Sequence, residues 1–207
     1  MATSLVGAFL VGYLLGGLMP AVWITRVVKG FDIRGRGSMN AGTSNVFTEV
    51  GPIWGMLTFL SDLAKVVIPL VLGRQVFHLS YEVLMAMGLG GVIGHDFPIW
   101  FRFKGGKGTA AALALAFCLH WLAGTAVLMT LVVVALVFDR MSIGGMVAMA
   151  ALPASLFLLG FSPPVVGMAL IVPVLSIFMH HSNIRKIIDG TEPYLLAAIK
   201  KAGKEGT

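Results

Sequence analysis

The sequence predicts an all-α polytopic membrane protein of seven transmembrane helices, one of them short, with the N-terminus outside and the C-terminus cytoplasmic. Three observations carry that expectation. Residues of the AVILMFWYC set make up 57% of the 207 residues and charged residues only 12%, about half the roughly 25% of a soluble domain. Apolar stretches close to the ~20 residues of a bilayer span recur along the chain. Lys and Arg crowd into alternate connections between those stretches. With 15 basic and 9 acidic residues the chain cannot clothe a soluble core of this size. A single cysteine, Cys118, rules out a disulfide scaffold.

Each span is read from its apolar run. The first covers Thr3–Thr25; it lacks a basic leader and is followed by Arg26 and Lys29, which marks an uncleaved anchor. The second covers Pro52–Gly73 and the third Val83–Phe101. The stretch Thr109–Phe138 is too long for one untilted span, and His120-Trp121 interrupts it. It divides into a short helix, Thr109–Leu119, and a full one, Trp121–Phe138. Ser142–Gly160 follows, and then Val165–Met179, which reaches spanning length once Pro163 and Pro164 begin it. Residues 1–207 read as one integral-membrane domain, with a short interfacial helix expected over 193–201.

Charge decides the division. With seven crossings, 13 of the 15 basic residues lie on the cytoplasmic side: Arg26, Lys29, Arg34 and Arg36 in the first loop, Arg102, Lys104 and Lys107 in the third, Arg140 in the fifth, and five in the tail. Only Arg74 lies outside, while Lys65 is inside the second span. Without the division, the tail and its five cations fall on the external side. An 11-residue crossing is only about 16 Å long, so protein must shield it.

Most of the polar chemistry falls in three clusters on the same side. Gly37-Ser38-Met39-Asn40-Ala41-Gly42-Thr43-Ser44-Asn45 can present backbone N–H groups and small donors to an anion, or serve as a turn in which Ser44 or Asn45 caps the next helix. Gly94-His95-Asp96-Phe97-Pro98 leads to Phe103-Lys104-Gly105-Gly106-Lys107-Gly108-Thr109. There the glycines admit close backbone approach, and the lysines add charge at a helix start. Phe101 stands where a nucleotide-binding P-loop needs its first glycine. His95 is the candidate general base. The third cluster is His180-His181-Ser182-Asn183-Ile184-Arg185-Lys186, ending at Gly190-Thr191-Glu192. Its paired histidines lack a second ligand pair, so neither a metal nor a cofactor is expected. Cations and neutral donors in this number suit a phosphate-bearing ligand and catalysis by positioning and electrostatics. Asp62 and Lys65 stand at i and i+3 within the second span and can pair. Gly12-x-x-x-Gly16 and Gly90-x-x-x-Gly94 read as close-packing faces between helices.

These motifs, in this order, resemble those of the bacterial membrane-integral acyl-phosphate:glycerol-3-phosphate acyltransferases. The resemblance spans nearly the whole chain and includes the Asp-x-x-Lys at Asp62 and Lys65. It implies transfer of a fatty acyl group from acyl phosphate to the 1-hydroxyl of glycerol 3-phosphate, giving lysophosphatidic acid for phospholipid synthesis at the cytoplasmic face of the bacterial inner membrane. It implies no metal, cofactor or nucleic acid. The implied partners are the two substrates, membrane lipid and a soluble acyl-phosphate-forming enzyme. Carried over, it places His95, Lys104, Lys107, Ser142 and Asn183 in catalysis. It places Ser38, Asn40, Asn45, Gly105, Gly106, Lys107 and His180 at the substrate phosphates.

Two departures stand out. Thr48 occupies the position where the first motif usually has an arginine, and Arg140 sits displaced from the arginine usual near Ser142, with Asp139 in its place. Arg34, Arg36 or Arg140 are the available substitutes. The departures leave open a paralogue with another acceptor or no activity, and the basic loops alone also suit a transporter of a phosphorylated metabolite. A topology reporter fused after Thr207 is expected to read cytoplasmic; an external signal would overturn the seven-span reading.

Overall fold

The computed structural model describes residues 2–197, and these form an all-helical bundle. Helices α1 (Ala2–Gly16) and α2 (Pro20–Lys29) precede α3 (Thr43–Glu49), α4 (Pro52–Gln75) and α5 (Tyr81–Asp96). Then come α6 (Thr109–Leu119), α7 (Trp121–Phe138), α8 (Met141–Leu158), α9 (Pro163–Ala169), α10 (Ile171–Met179) and α11 (His181–Ile188). Five segments are long and apolar enough to cross a membrane: Thr3–Lys29, Pro52–Gln75, Tyr81–Phe101, Trp121–Phe138 and Met141–Leu158. Large apolar side chains cover the outside, among them Ile53, Val137 and Leu158. Exposed in water this surface would be prohibitive, and in lipid it costs nothing. This is an integral membrane protein.

Prolines dictate where the expected spans break. Pro20 has no N–H and disfavours helix at Met19, so the first span is α1 and α2 joined by Gly17–Met19 rather than one continuous helix. Pro98 likewise ends the third span early, at Asp96, with a short 3-10 turn at Ile99–Phe101. The last span starts at Pro163 as expected, then breaks at Leu170; Pro173 cannot donate to the carbonyl of Ala169 four residues earlier. α6 and α7 divide at His120, whose side chain accepts from the Leu122 amide and caps α7. The short α6 is sheathed by protein, with Ala111–Ala116 and Leu119 all buried. Of the expected interfacial helix over 193–201, Pro193 and Tyr194 are not helical and 195–197 are; the rest lies outside the described residues.

The connections sort to two ends. At one, the Tyr81 ring meets Phe161 edge-on at 4.8 Å, His120 meets Phe161 at 6.3 Å, and the Ser162 hydroxyl donates to Glu82 at 2.7 Å. At the other, the Arg34 guanidinium reaches the carbonyl of Phe101, Lys107 reaches Asn183, and the backbone of Leu195 and Leu196 bonds to Asp139. α6 therefore carries the chain from the second end to the first despite its length.

α5 is the central helix, buried along most of its course. It packs parallel to α1 through glycines. A Cβ on Gly12 would stand 1.8 Å from the Met87 carbonyl oxygen, one on Gly16 2.1 Å from that of Gly91, and one on Gly94 2.1 Å from that of Tyr13. In lipid there is no hydrophobic drive between helices, so backbone contact of this kind supplies the attraction. Gly94→Ala should lower stability by about 1–3 kcal/mol through overpacking, read as an earlier thermal unfolding midpoint in detergent. Gly7→Ala, which meets nothing within 4 Å, should leave it unchanged.

Candidate active site

The polar end is assembled from the loop after α2 upward. Asp32 caps the 3-10 turn at Ile33–Gly35 and accepts from Arg34 Nε at 3.0 Å and Nη2 at 2.7 Å, with Arg26 at 2.8 Å. The Arg34 hydrogen bonds hold the Asp32 carboxyl well below the usual carboxylate range despite partial burial, and Asp32 in turn raises Arg34. Arg34 Nη1 then donates to the carbonyls of Phe101 at 3.0 Å and Lys104 at 3.4 Å. Arg34 is thus a clamp between two loops. Arg36 stacks over Phe31 and Arg140 over Tyr194, with guanidinium carbons 4.8 and 3.6 Å from the ring centres. Thr48 is exposed and donates to the Ser44 carbonyl of its own helix.

Asn45 organises the first motif. It is buried, its Nδ2 faces the carbonyls of Ile33, Arg36 and Asn40 at 3.0–3.2 Å, and its Oδ1 accepts from the Ser38 amide at 3.0 Å. Its amide is engaged by the loop it shapes, so Asn45 orders that loop. The cap expected from Ser44 or Asn45 is absent, because α3 begins at Thr43 with Gly42 as its cap. Ser38 is exposed and Asn40 half-buried on the rim of this loop.

His95, at the end of α5, lies beneath the glycine loop. The Gly106 amide donates to the His95 carbonyl at 3.0 Å. A Cβ on Gly106 would stand 1.9 Å from His95 Nε2, and one on Gly105 2.0 Å from the His95 carbonyl oxygen. Gly108 has φ +67° and caps α6, with Asp96 packed against it. A side chain at 106 would strike the imidazole and one at 105 the His95 carbonyl, which is why the backbone here is bare. On its other edge, His95 Nδ1 lies 2.8 Å from Lys65 Nζ, itself 2.9 Å from Asp62 Oδ1. Lys104 extends from the loop into solvent.

Lys107 turns inward and meets α11. Its Nζ donates to Asn183 Oδ1, and Asn183 Nδ2 donates to Glu192 Oε1 at 2.8 Å. Burial lowers the Lys107 pKa to about 8, with Glu192 opposing the shift and Lys186 adding to it. Buried Oε2 of Glu192 and Oγ of Ser142 have no partner among the described residues. His180 Nδ1 faces the Ser176 carbonyl at 2.8 Å. A carbonyl only accepts, so Nδ1 carries the proton and Nε2 keeps a lone pair. A Cβ on Gly145 would lie 3.6 Å from that Nε2 and 3.4 Å from Thr109 Oγ1. Ser142 stands one turn before Gly145 on α8, inside the helix and not at its cap.

This arrangement belongs with known proteins. The family model described as glycerol-3-phosphate acyltransferase matches residues 6–190. The chain belongs to the glycerol-3-phosphate acyltransferase family. A relative of that name from Syntrophotalea carbinolica is 31% identical over 190 residues, covering 92% of this chain and 97% of the relative. One from Thermotoga petrophila is 34% identical over 185 residues, covering 88% and 92%. The crystal structure of the integral membrane glycerol 3-phosphate acyltransferase PlsY (YgiH) in its glycerol 3-phosphate form aligns with TM-score 0.85 and 31% identity over 92% of this chain and 95% of that one. Its lysophosphatidic acid form aligns with TM-score 0.81 and 29% identity, covering 95% and 98%.

The structure joins Lys107 to Asn183, sets His180 against α8 one turn from Ser142, and places His95, Gly105 and Gly106 beside Lys107. The first motif is latched on through Arg34. Sequence reasoning passed over Glu192, Thr109 and Asp96 as site residues; Glu192 was visible only as the close of the third motif. Lys107 can attract an anion only as ammonium, so any binding of glycerol 3-phosphate at Lys107 is expected to weaken as pH rises through about 8. Lys107→Arg should retain binding to higher pH in isothermal titration.

Proposed function

We propose that this protein transfers a fatty acyl group from acyl phosphate to the 1-hydroxyl of glycerol 3-phosphate, releasing lysophosphatidic acid and inorganic phosphate. The observation that supports this best is the bare glycine loop with Lys107 at its head, bonded through Asn183 to Glu192. Two motifs some seventy-six residues apart thereby meet, Lys107 of one against Asn183 of the other. Family membership supports the acceptor, and the chemistry of this site supports the donor. An acyl phosphate is already activated, so the site has to hold two phosphate groups together and accept one proton.

The acceptor hydroxyl attacks the acyl carbonyl and the bond from that carbon to the phosphate oxygen breaks. Lys107 offsets the repulsion between the two phosphates and stabilises the departing one; Lys104 adds its charge from the rim, and Ser38 and Asn40 offer donors there. The proton goes to the leaving phosphate or to His180 Nε2, whose lone pair faces the Ser142 face of α8. Ser142 positions the reacting oxygens with its otherwise unpartnered hydroxyl. Exposed apolar flanks let the acyl chain enter from the bilayer. The reading includes seven crossings, the short α6 among them, with the polar end cytoplasmic in the bacterial inner membrane. It needs an acyl-phosphate-forming enzyme upstream.

Transport of a phosphorylated metabolite would need a polar path between the two ends. Of the buried charged groups of the spans, Asp62 and Lys65 are instead turned on one another and on His95, and Asp96 packs against Gly108 at the polar end. Purified protein given acyl phosphate and labelled glycerol 3-phosphate should form lysophosphatidic acid, and Lys107→Ala should lose about 100-fold or more in kcat/KM. Folded protein without acyl transfer, or a Lys107→Ala variant as active as wild type, would refute the reading. Uptake of the ester into liposomes would favour transport.

A further inference from the structure

The Asp62–Lys65 pair has no place in the chemistry above, yet its geometry reaches both the phosphate loop and the break in the first span. Lys65 is buried in α4, and its Nζ has three neighbours on three different elements. It donates to the Leu18 carbonyl at 2.7 Å, lies 2.8 Å from His95 Nδ1, and faces Asp62 Oδ1 at 2.9 Å. Asp62 Oδ1 is itself 3.5 Å from His95 Nδ1, too long for a good hydrogen bond. An ammonium has three hydrogens and no lone pair, so a nitrogen so surrounded can only donate. His95 Nδ1 must then accept, which leaves the imidazole proton on Nε2, the atom pressed against Gly106. Among the described residues Nε2 makes no hydrogen bond.

We propose that Lys65, anchored by Asp62, is a positioning residue that fixes His95 as its Nε2–H tautomer, making the imidazole a neutral hydrogen-bond donor under the phosphate loop and not a general base. The same ammonium satisfies the carbonyl freed by the α1–α2 break, so the kink, the imidazole and the loop are held to one point. A substrate phosphate seated on Gly105–Gly108 gains a donor that carries no charge and therefore needs no counterion. His180, with the opposite tautomer, keeps the lone pair that His95 has given up. The kinetic consequence rests on the function proposed above; the tautomer does not.

The test combines nitrogen NMR with kinetics. Protein labelled with 15N-histidine and reconstituted in lipid is compared with His95→Gln to assign the His95 signals. In wild type, His95 Nδ1 should be unprotonated and Nε2 protonated. In the charge-neutral double variant Asp62→Asn with Lys65→Met, the His95 signals should move toward a tautomer mixture, while Lys65→Arg in the wild-type background should keep the wild-type pattern. The double variant should raise KM for glycerol 3-phosphate about tenfold, the scale of one lost hydrogen bond, with a smaller change in kcat. Wild-type His95 protonated at Nδ1 would overturn the proposal whatever the variants do. So would His95 signals unchanged by the double variant, or an unchanged KM in active protein. If wild type transfers no acyl group, the proposed function fails, and the nitrogen signals still decide the tautomer.

Discussion

A helix interrupted inside a bilayer frees carbonyls that no water can reach, and each must find a donor within the protein. The break between α1 and α2 meets that requirement with a cation. Lys65 reaches the Leu18 carbonyl from the neighbouring α4, and a buried cation in turn requires an anion, which Asp62 supplies one helical turn away. Removing either member alone would leave an uncompensated buried charge, a loss that typically runs to about 3–5 kcal/mol. Much of the polar end follows from where that ammonium sits. It ties down the kink that Pro20 makes before α2, ahead of the loop that carries Asp32 and Arg34, and it abuts the histidine on which the glycine loop rests.

Around that fixed point the protein is built from close backbone contacts. α1 meets α5 glycine against carbonyl, α5 meets the loop after Phe101 through Gly105 and Gly106, and α8 admits His180 and Thr109 at Gly145. Much of the glycine thus serves two tasks, helix association in lipid and the bare backbone of the loop over His95. Both need the same property, absence of a Cβ where another backbone or a ligand must come within van der Waals distance.

The site itself divides its cations by role. Arg34 is neutralised by Asp32 and clamps two loops; Arg36 and Arg140 lie over aromatic rings. Lys107 alone is partly desolvated at the centre of the cluster, where a charge has most effect on a bound anion. Arg34, bonded to Asp32 and to two carbonyls of the facing loop, is not free to stand in for the arginine that the resemblance leads one to expect at Thr48. Lys107 and the exposed Lys104 carry the charge of the glycine loop.

The sequence by itself determined the helical membrane fold, the split at His120 and the three polar clusters, because apolar run length, proline position and the placement of few charges are local properties that a bilayer reads directly. It also marked Lys107, Asn183 and His180, since their motifs carry chemistry in contiguous residues. It could not show that Asn45 spends its amide on its own loop, that Lys65 faces a histidine thirty residues away, or that Glu192 returns to Asn183. Nor could it show the breaks at Gly17–Met19 and Leu170 as tolerated ones. Those depend on which helices lie side by side, and only packing in three dimensions decides which buried donor meets which buried acceptor.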